Sequence, residues 1–312
     1  MGLSGQAVEA DLPRTVQQIG QLHSMLLPAV VLILVTIWSY PAFAERVSFN
    51  SLDGETELSA VLLTPATAPP HKSVVFLHGC SGMGFGGGLS AVYSTWATHL
   101  NDAGYAVLIV DSATPRGLGS TCGSSKARRL IYAKRPLDAY GALHYLQSLP
   151  AMRPDAVALM GWSQGGGIVL LSIVDQSIGR PEPPPVHDFK AAVALYPSAC
   201  SDRFQSKPFT TIEPQMWATA IPLLVLFGAK DNWTDPNACR SFIEGARKRG
   251  EPVAIKLYSN AVHSFDAPNV RLQERTAPRL PDGSLPLVGT DKAARRDALT
   301  IVPEFLDNHT GR

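Results

Sequence analysis

Continuous apolar runs alternate with stretches of helical periodicity along most of this chain. Three runs are typical of strands buried on both faces of a sheet: SVVFLH at 73–78, YAVLIVD at 105–111 and AVALMG at 156–161. Further strands are predicted at 46–52, 57–65, 191–196, 223–228 and 253–258, with a hairpin turn at Asp53-Gly54 between the first two. Helices are predicted at 91–103, 125–148, 164–175, 236–248 and 292–308. The alternation predicts an α/β fold, with a mostly parallel twisted sheet of about eight strands and helices on both faces.

Proline modifies this pattern in three places. Pro136 is expected to divide the helix at 125–148, since proline breaks helix interiors. The Pro-rich stretches 179–185 and 267–286 are expected to be loops. The second stretch is long enough to form a lid or flap near a functional site.

Composition excludes several classes of protein. Hydrophobic residues make up 45% of the 312 residues and charged residues 17%, which excludes a disordered chain. The 27 Lys and Arg residues against 26 Asp and Glu residues give a net charge of +1. This balance provides no basic surface of the kind that binds nucleic acid, so no nucleic-acid partner is expected.

An apolar stretch at 25–38 lies near the N-terminus. Its apolar core of about a dozen residues is shorter than the roughly 20 that a membrane span needs. The sequence Ala42-Phe43-Ala44 follows and places small residues at both key positions of a cleavage site. We therefore predict that residues 1–44 are a signal peptide, with Met25 as a second candidate for the start of translation. The mature domain would span 45–312, be periplasmic or secreted, and have no stable membrane span; an uncleaved anchor or a buried core helix are the alternatives.

The sequence Gly161-Trp162-Ser163-Gln164-Gly165 fits the pattern G-x-S-x-G. It lies between a predicted strand and a predicted helix, where a sharp turn needs small residues and exposes the serine hydroxyl at the C-terminal edge of the sheet. Ser163 is therefore the predicted nucleophile, and Trp162 is a candidate for substrate contact. The alternative is a serine in a tight turn whose glycines serve packing alone.

A serine hydroxyl is a weak nucleophile and needs a base. His263 follows the strand at 253–258 and is the predicted base, with a polar loop histidine as the alternative. His78 ends the strand at 73–78 and is expected to have a structural role. It would shape a loop whose backbone N–H groups point into the site.

The base needs a carboxylate that orients it. Asp231 comes directly after the strand at 223–228, at the same edge of the sheet as the serine, and is the predicted acid. Asp235 and Asp202 are the alternatives, although Asp235 also fits the N-cap of the helix at 236–248. The order serine, aspartate, histidine is the order found in α/β-hydrolases.

Five segments carry a resemblance to a known family: LHGCSGMG (77–84), YAVLIVDSATPRG (105–117), GWSQGG (161–166), FGAKDNWTDP (227–236) and YSNAVHSFD (258–266). Together they resemble the α/β-hydrolases of the dienelactone hydrolase family, with serine where that family has a cysteine nucleophile. The resemblance implies a Ser163–His263–Asp231 triad and an oxyanion hole formed by the backbone N–H groups of Cys80 and Gln164. It implies a serine hydrolase that cleaves a small-molecule carboxylic ester or lactone and needs neither metal nor cofactor.

The chain departs from this family at the substrate carboxylate, which the family holds with two arginines. Arg116, after the strand at 105–111, is a candidate for one of them, and a structural loop residue paired with an acid is the alternative. The second arginine would follow His263, where the chain reads Ser264-Phe265-Asp266-Ala267. This departure weakens the case for a dienelactone as the substrate.

Four cysteines fit an oxidising compartment. Their positions after neighbouring strands predict the pairs Cys80–Cys122 and Cys200–Cys239, with free buried cysteines as the alternative. No spacing typical of a zinc site is present. For the function, a serine peptidase of the same fold and a non-catalytic binding protein are the alternatives to an esterase.

Overall fold

An eight-stranded sheet forms the centre of the computed structural model, which describes residues 43–84, 88–276 and 278–311. The apolar stretch at 25–38 and Ala42 of the expected cleavage site lie outside the described residues. The strands are β1 (Phe43–Asn50), β2 (Glu57–Thr64), β3 (His71–Leu77), β4 (Tyr105–Asp111), β5 (Met152–Trp162), β6 (Ala191–Leu195), β7 (Leu223–Gly228) and β8 (Val253–Tyr258).

The strand order is β1-β2-β4-β3-β5-β6-β7-β8, with the pairs β1–β2 and β2–β4 antiparallel and all others parallel. The mostly parallel sheet of about eight strands is therefore confirmed. Strands β4, β6 and β7 are buried along their full length, because helices cover both faces. The helices are α1 (Ala91–Asp102), α2 (Ser125–Ser148), α3 (Gln164–Ile173), α4 (Asp202–Gln205), α5 (Pro236–Lys248) and α6 (Lys292–Thr310).

Strand register brings the carboxyl ends of the parallel strands to one edge. Leu77 of β3 pairs with Gly161 of β5, and Gly161 pairs with Ala194 of β6. At the other end of the parallel region, Gly228 of β7 pairs with Tyr258 of β8. The loops that follow these strands therefore meet along one line, where ligand sites of open α/β sheets lie.

Helix α2 corrects one prediction, since it runs without interruption through Pro136. A proline inside a helix costs about 3 kcal/mol, because its ring removes one backbone hydrogen bond and crowds the preceding turn. Leu143 and Leu146 on the same helix are completely buried. Each contributes roughly 1.5–3 kcal/mol by leaving water, which outweighs the local cost of the proline.

The Pro-rich stretch after His263 forms a flap, defined here as residues 268–287. It contains the short strand β9 (Gln273–Glu274), which pairs with β10 (Leu287–Val288). The base of the flap is closed by two backbone hydrogen bonds, from Gly289 N to His263 O and from Asp291 N to Phe265 O. Among the helices in the described ranges, none is long and apolar enough to cross a membrane.

Candidate active site

Ser163 lies in a sharp turn between β5 and α3. Its backbone has φ 52° and ψ −113°, a strained conformation for a residue with a side chain. A Cβ atom at Gly165 would lie 2.0 Å from Leu77 O, and one at Gly161 would lie 2.4 Å from Gly165 O. Both flanking positions therefore need glycine, and the turn holds the Ser163 hydroxyl up at the sheet edge.

Two hydrogen bonds connect three side chains that are far apart in sequence. His263 Nε2 lies 3.1 Å from Ser163 Oγ, and His263 Nδ1 lies 2.7 Å from Asp231 Oδ2. Both His263 and Asp231 are almost completely buried. An ionised carboxylate only accepts hydrogen bonds, so Nδ1 carries the proton and Nε2 is free to accept the serine proton.

The Asp231 carboxylate is held by its own loop. Its Oδ1 accepts hydrogen bonds from Trp233 N at 2.8 Å and Thr234 N at 3.0 Å. The Thr234 hydroxyl donates to Oδ2 at 2.9 Å. These three donors leave one direction open at the carboxylate, the one that faces His263.

The two other candidate acids have different partners. Asp235 is the N-cap of α5, where its carboxylate accepts from Asn237 N and Ala238 N. Asp202 accepts a hydrogen bond from Gln215 N. Of the three carboxylates, Asp231 is the one hydrogen-bonded to His263.

The loop after β3 is held from beneath by His78. Burial lowers the pKa of His78 to about 3, so its ring is neutral at pH 7. Its Nε2 accepts from Ser112 N at 3.3 Å, and its Nδ1 therefore donates to Gly79 O at 2.7 Å. Gly79 N in turn donates to the Tyr93 hydroxyl at 2.7 Å. His78 thus has the loop-shaping contacts that the sequence predicts.

Two backbone N–H groups next to Ser163 have no acceptor in the part of the chain that the structure describes. They are those of Cys80, in the loop after β3, and Gln164, at the first position of α3. The first N–H groups of a helix have no partner within it and favour negative charge. Both groups are thus able to donate to an oxyanion that forms beside Ser163.

Ser163 and His263 open into a cleft of about 490 Å³. Its walls include the apolar side chains Val92, Val270 and Val288, together with Trp233. The Trp233 ring lies 4.8 Å from the His263 ring, between centroids, and the Arg275 guanidinium lies 5.2 Å from the Trp233 ring. The cleft therefore combines apolar walls with a polar rim.

The flap forms part of this rim, at residues 273–276. Asn232, next to Asp231, attaches the flap to the acid loop: its Nδ2 donates to Leu285 O at 3.0 Å and its Oδ1 accepts from Leu287 N at 2.8 Å. The flap near a site that the sequence predicts is thus present, and it is attached to the loop that carries the acid.

Comparison with known proteins identifies the family to which the chain belongs. The sequence profile of the dienelactone hydrolase family matches residues 58–310, which cover β2 to α6. The chain belongs to the dienelactone hydrolase family.

Relatives of this family member are distant in sequence. A curated protein of Bradyrhizobium sp, named a probable 2-oxo-3-(5-oxofuran-2-ylidene)propanoate lactonase, is 23% identical over 183 residues, which are 57% of this chain and 69% of that protein. Among solved structures, a dienelactone hydrolase-like promiscuous phosphotriesterase from metagenomic libraries matches with a TM-score of 0.64 and 18% identity, over 86% of this chain and 99% of that one.

Two further solved structures support the same fold. Esterase 2 of Thermogutta terrifontis with bound propionate matches with a TM-score of 0.59 and 18% identity, over 85% of this chain and 94% of that one. Acylaminoacyl peptidase of Pyrococcus horikoshii matches with a TM-score of 0.59 and 16% identity, over 89% of this chain and 43% of that one. The chain therefore has the α/β-hydrolase fold, as the sequence predicts.

Arg116 of this dienelactone hydrolase family member is not part of the cleft lining. Its guanidinium donates to Asp138 at 2.7 and 2.8 Å and to Asp53 at 2.8 Å, and only 7% of its side chain is exposed. The structure thus corrects the substrate-binding candidate and favours its alternative, a loop residue paired with acids. The reason is long-range: Asp53 follows β1 and Asp138 lies in α2.

Replacing Arg116 by alanine is expected to lower the free energy of unfolding by about 2–4 kcal/mol at pH 7, because Asp138 loses its bidentate partner and Asp53 keeps only the more distant Lys134, at 3.8 Å. Burial acts to raise the pKa of Asp53, but hydrogen bonds from Arg116, Glu55 N and Thr56 outweigh it and hold the pKa below its usual value. A lowered pKa stabilises the fold above the unfolded pKa of about 4, and this stabilisation is lost as pH falls.

Urea unfolding at pH 7 and pH 3.5 would therefore give a smaller difference between Arg116→Ala and the wild type at the lower pH. Arg116→Lys, which keeps the charge and loses the bidentate geometry, should lie between them. The KM for esters should change by less than about 2-fold, because Arg116 is outside the cleft. A raised KM with an unchanged free energy of unfolding would instead indicate that Arg116 binds the substrate.

Trp162, the other substrate-contact candidate, has its ring in the core. The ring is 1% exposed, packs edge-on against Phe76 and Tyr93, and donates from Nε1 to Asp266 at 2.8 Å. It therefore supports the serine turn from beneath. Trp162 is also one of the residues that line the cleft, so its contact with a substrate stays a prediction.

Asp266 is a residue that the sequence analysis missed. It is 1% exposed and accepts three hydrogen bonds, from Trp96 Nε1 at 2.7 Å, Trp162 Nε1 at 2.8 Å and the Tyr196 hydroxyl at 2.7 Å. Burial raises the pKa of Asp266, although these hydrogen bonds act to lower it. The carboxylate ties the loop after His263 to α1, β5 and the end of β6. A pair of tryptophans and an aspartate at unrelated spacings carries no sequence signal for such a cluster.

The four cysteines form the pairs that strand order predicts. Cys80 is bonded to Cys122, and Cys200 is bonded to Cys239. Two disulfides are consistent with an extracellular or periplasmic protein. Cys80 is half-buried and lines the cleft, whereas Cys200 and Cys239 are buried.

Proposed function

We propose that this protein is an exported serine hydrolase that cleaves a carboxylic ester or lactone through an acyl-enzyme on Ser163. The observation that carries the proposal is the continuous pair of hydrogen bonds from Ser163 Oγ through His263 to Asp231, at the base of a cleft. Membership of the dienelactone hydrolase family supports hydrolysis as the reaction class.

In the first step, Ser163 Oγ attacks the ester carbonyl carbon while His263 Nε2 takes the hydroxyl proton. Asp231 stabilises the imidazolium that forms and keeps its ring in place. The carbonyl oxygen becomes an oxyanion and accepts hydrogen bonds from the N–H groups of Cys80 and Gln164, each worth roughly 3–4 kcal/mol in the transition state. The intermediate then breaks its bond to the alcohol oxygen, which takes the proton from His263.

In the second step, water takes the place of the alcohol. His263 removes a proton from the water as it attacks the acyl carbon, and the second oxyanion uses the same two N–H groups. Breaking the bond to Ser163 Oγ returns the proton to the serine and releases the acid. For a lactone, the alcohol and the acid belong to one molecule, so a hydroxy acid leaves after deacylation.

The cleft favours a compact substrate. A volume of about 490 Å³ and apolar walls fit a short acyl group, and the names of relatives include a lactonase and an esterase. The match to an acylaminoacyl peptidase makes a peptide-like amide the second candidate, although that match spans only 43% of the peptidase.

Export is proposed on two observations. Four cysteines are paired in two disulfides, and residues 1–44 have the pattern of a signal peptide. Cleavage after Ala44 would leave Glu45, which pairs with Leu62, as the first residue of β1. N-terminal sequencing of the exported protein would show Glu45 first; a chain that keeps residues 25–38 would indicate an anchor.

The function is tested with the protein from residue 45 onward. Hydrolysis of p-nitrophenyl acetate, butyrate and octanoate is measured beside a neutral lactone and a peptide p-nitroanilide, and a fluorophosphonate probe is used to label the nucleophile. We expect turnover of the shorter esters and a single adduct on the peptide that contains Ser163. Preference for the anilide would indicate the peptidase, and folded protein with neither turnover nor adduct would indicate a binding protein.

A further inference from the structure

A short segment after β4 contacts both residues that supply the proposed oxyanion hole. We name residues 120–122 the brace. Thr121 N donates to Cys80 O at 2.8 Å. The Thr121 hydroxyl lies 2.9 Å from Gln164 Oε1 and 3.2 Å from Cys80 O, so its one proton faces an acceptor on each of these two residues. The next residue, Cys122, is bonded to Cys80 through sulfur. The brace thus joins the loop after β3 to the first residue of α3.

The contact between Thr121 and Gln164 is buried. Ser120 and Gly123, which flank Thr121 and Cys122, are exposed, whereas Thr121 is 2% exposed and Gln164 is 3% exposed. Separating the Thr121 hydroxyl from the buried amide oxygen of Gln164 is costly, because that oxygen would lose its partner away from water. The side chains of Thr121 and Gln164 therefore hold one relative position.

This position matters for the proposed chemistry because the two N–H donors belong to separate elements. Cys80 follows β3, in a loop that reads Gly79-Cys80-Ser81-Gly82, and glycine permits wide backbone freedom. Gln164 is fixed by the start of α3. An oxyanion hole works only when both donors lie 2.7–3.1 Å from the oxygen. His78 holds the peptide that carries the Cys80 N–H on one side, through Gly79 O, and Thr121 N holds the carbonyl of Cys80 on the other side.

We propose that Thr121 is a positioning residue that aligns the N–H groups of Cys80 and Gln164, and that the Cys80–Cys122 disulfide locks it in place. The proposal rests on the serine hydrolase mechanism above. It makes full activity a property of the oxidised protein, which matches export to an oxidising compartment.

The same geometry makes this disulfide the one that a reductant reaches first. Cys80 and Cys122 are half-buried at the cleft, whereas Cys239 is completely buried and Cys200 is 5% exposed. A small dithiol would attack one sulfur of Cys80–Cys122 and release the other as a thiolate. The second thiol of the reductant would then attack the mixed disulfide and release the remaining cysteine. The products are two cysteine thiols and the cyclic disulfide of the reductant.

The first test uses Thr121→Val, which removes the hydroxyl and keeps the backbone N–H and the side-chain shape. We expect kcat for p-nitrophenyl butyrate to fall about 10- to 100-fold, with KM within about 2-fold. The misplaced N–H groups would weaken binding of the oxyanion, which forms only in the transition state, and leave substrate binding unchanged. Thr121→Ser, which keeps the hydroxyl, should restore most of kcat. Affinity for a trifluoromethyl ketone, which forms an oxyanion on the serine, should fall by the same factor as kcat.

The second test compares the two disulfides. Cys80→Ser/Cys122→Ser keeps the N–H of residue 80 and should lower kcat at unchanged KM. Cys200→Ser/Cys239→Ser is the matched control and should lower the melting temperature while kcat is retained. A brief dithiol treatment of the wild type, checked by alkylation and mass mapping, should reproduce the first variant and reverse on oxidation.

The outcomes separate this proposal from the mechanism on which it rests. If the fluorophosphonate labels Ser163 but Thr121→Val has wild-type kcat, the brace is merely structural. Equal loss of kcat in both disulfide variants, or full activity with Cys80 and Cys122 alkylated, would also overturn it. If wild-type protein neither turns over esters nor reacts with the probe, the serine hydrolase mechanism itself has failed.

Discussion

Replacing Ser163 by alanine is expected to lower kcat/KM for p-nitrophenyl butyrate by about 10⁴-fold or more, because it removes the atom that forms the acyl-enzyme. The remaining rate would come from binding and from the N–H groups of Cys80 and Gln164, which act on a water molecule. The variant should fold as the wild type does, since the Ser163 hydroxyl makes no hydrogen bond other than the one to His263 in the described part of the chain.

Ser172→Ala is the matched control for this variant. Ser172 lies on α3, the helix that Ser163 precedes, and its hydroxyl donates to Ile168 O at 2.8 Å, within the helix. We expect its kcat/KM to stay within about 2-fold of wild type. Initial rates are compared with circular dichroism and melting temperature for all three proteins. A Ser163→Ala protein with normal rates would remove the serine mechanism.

Replacing Asp231 by asparagine is expected to lower kcat/KM by about 10³- to 10⁴-fold, through the tautomer of His263. Oδ1 of Asp231 accepts from two backbone N–H groups, so the asparagine carbonyl oxygen will stay at that position. The side-chain NH₂ then takes the place of Oδ2 and donates to Nδ1 of His263. The proton of the neutral imidazole moves to Nε2, which can no longer accept the proton of Ser163.

Asp235→Asn is the control that also tests the alternative acid. Asn caps a helix about as well as Asp, and this carboxylate accepts from two N–H groups of α5. Activity and melting temperature should therefore both remain near wild type. Steady-state rates for the two variants decide the assignment: an inactive Asp235→Asn beside an active Asp231→Asn would exchange their roles.

Much of the fold follows from local pattern. Strands β4, β7 and β8 and helix α5 begin and end at their predicted bounds. For β4 and β7 the reason is that a strand between two helix layers must be apolar throughout, whereas β8 lies at the edge of the sheet and is largely half-buried or exposed. Proline at the first position of α5 and glycine after α1 mark their helix ends in the same way. Pro136 was misjudged because the burial of α2 as a whole outweighs one local penalty.

The candidate nucleophile, base and acid were predictable for a topological reason. Each follows a parallel strand, and the carboxyl ends of parallel strands meet at one edge of the sheet. The three residues are therefore close in space although they are far apart along the chain. Arg116 also follows such a strand, yet it lies outside the cleft. Its partners come from the turn after β1 and from α2, and nothing in its own segment indicates them.

The sequence by itself thus determined the α/β architecture, the serine turn and the members of the proposed triad, since each depends on local pattern and strand order. Only the tertiary structure decided which polar groups are buried together: Asp266 with two tryptophans, Arg116 with two aspartates, and Thr121 with Gln164. Such partners are chosen by burial, because a polar group removed from water must find another wherever the chain brings one. The separation of two residues along the chain does not predict whether their polar groups will pair.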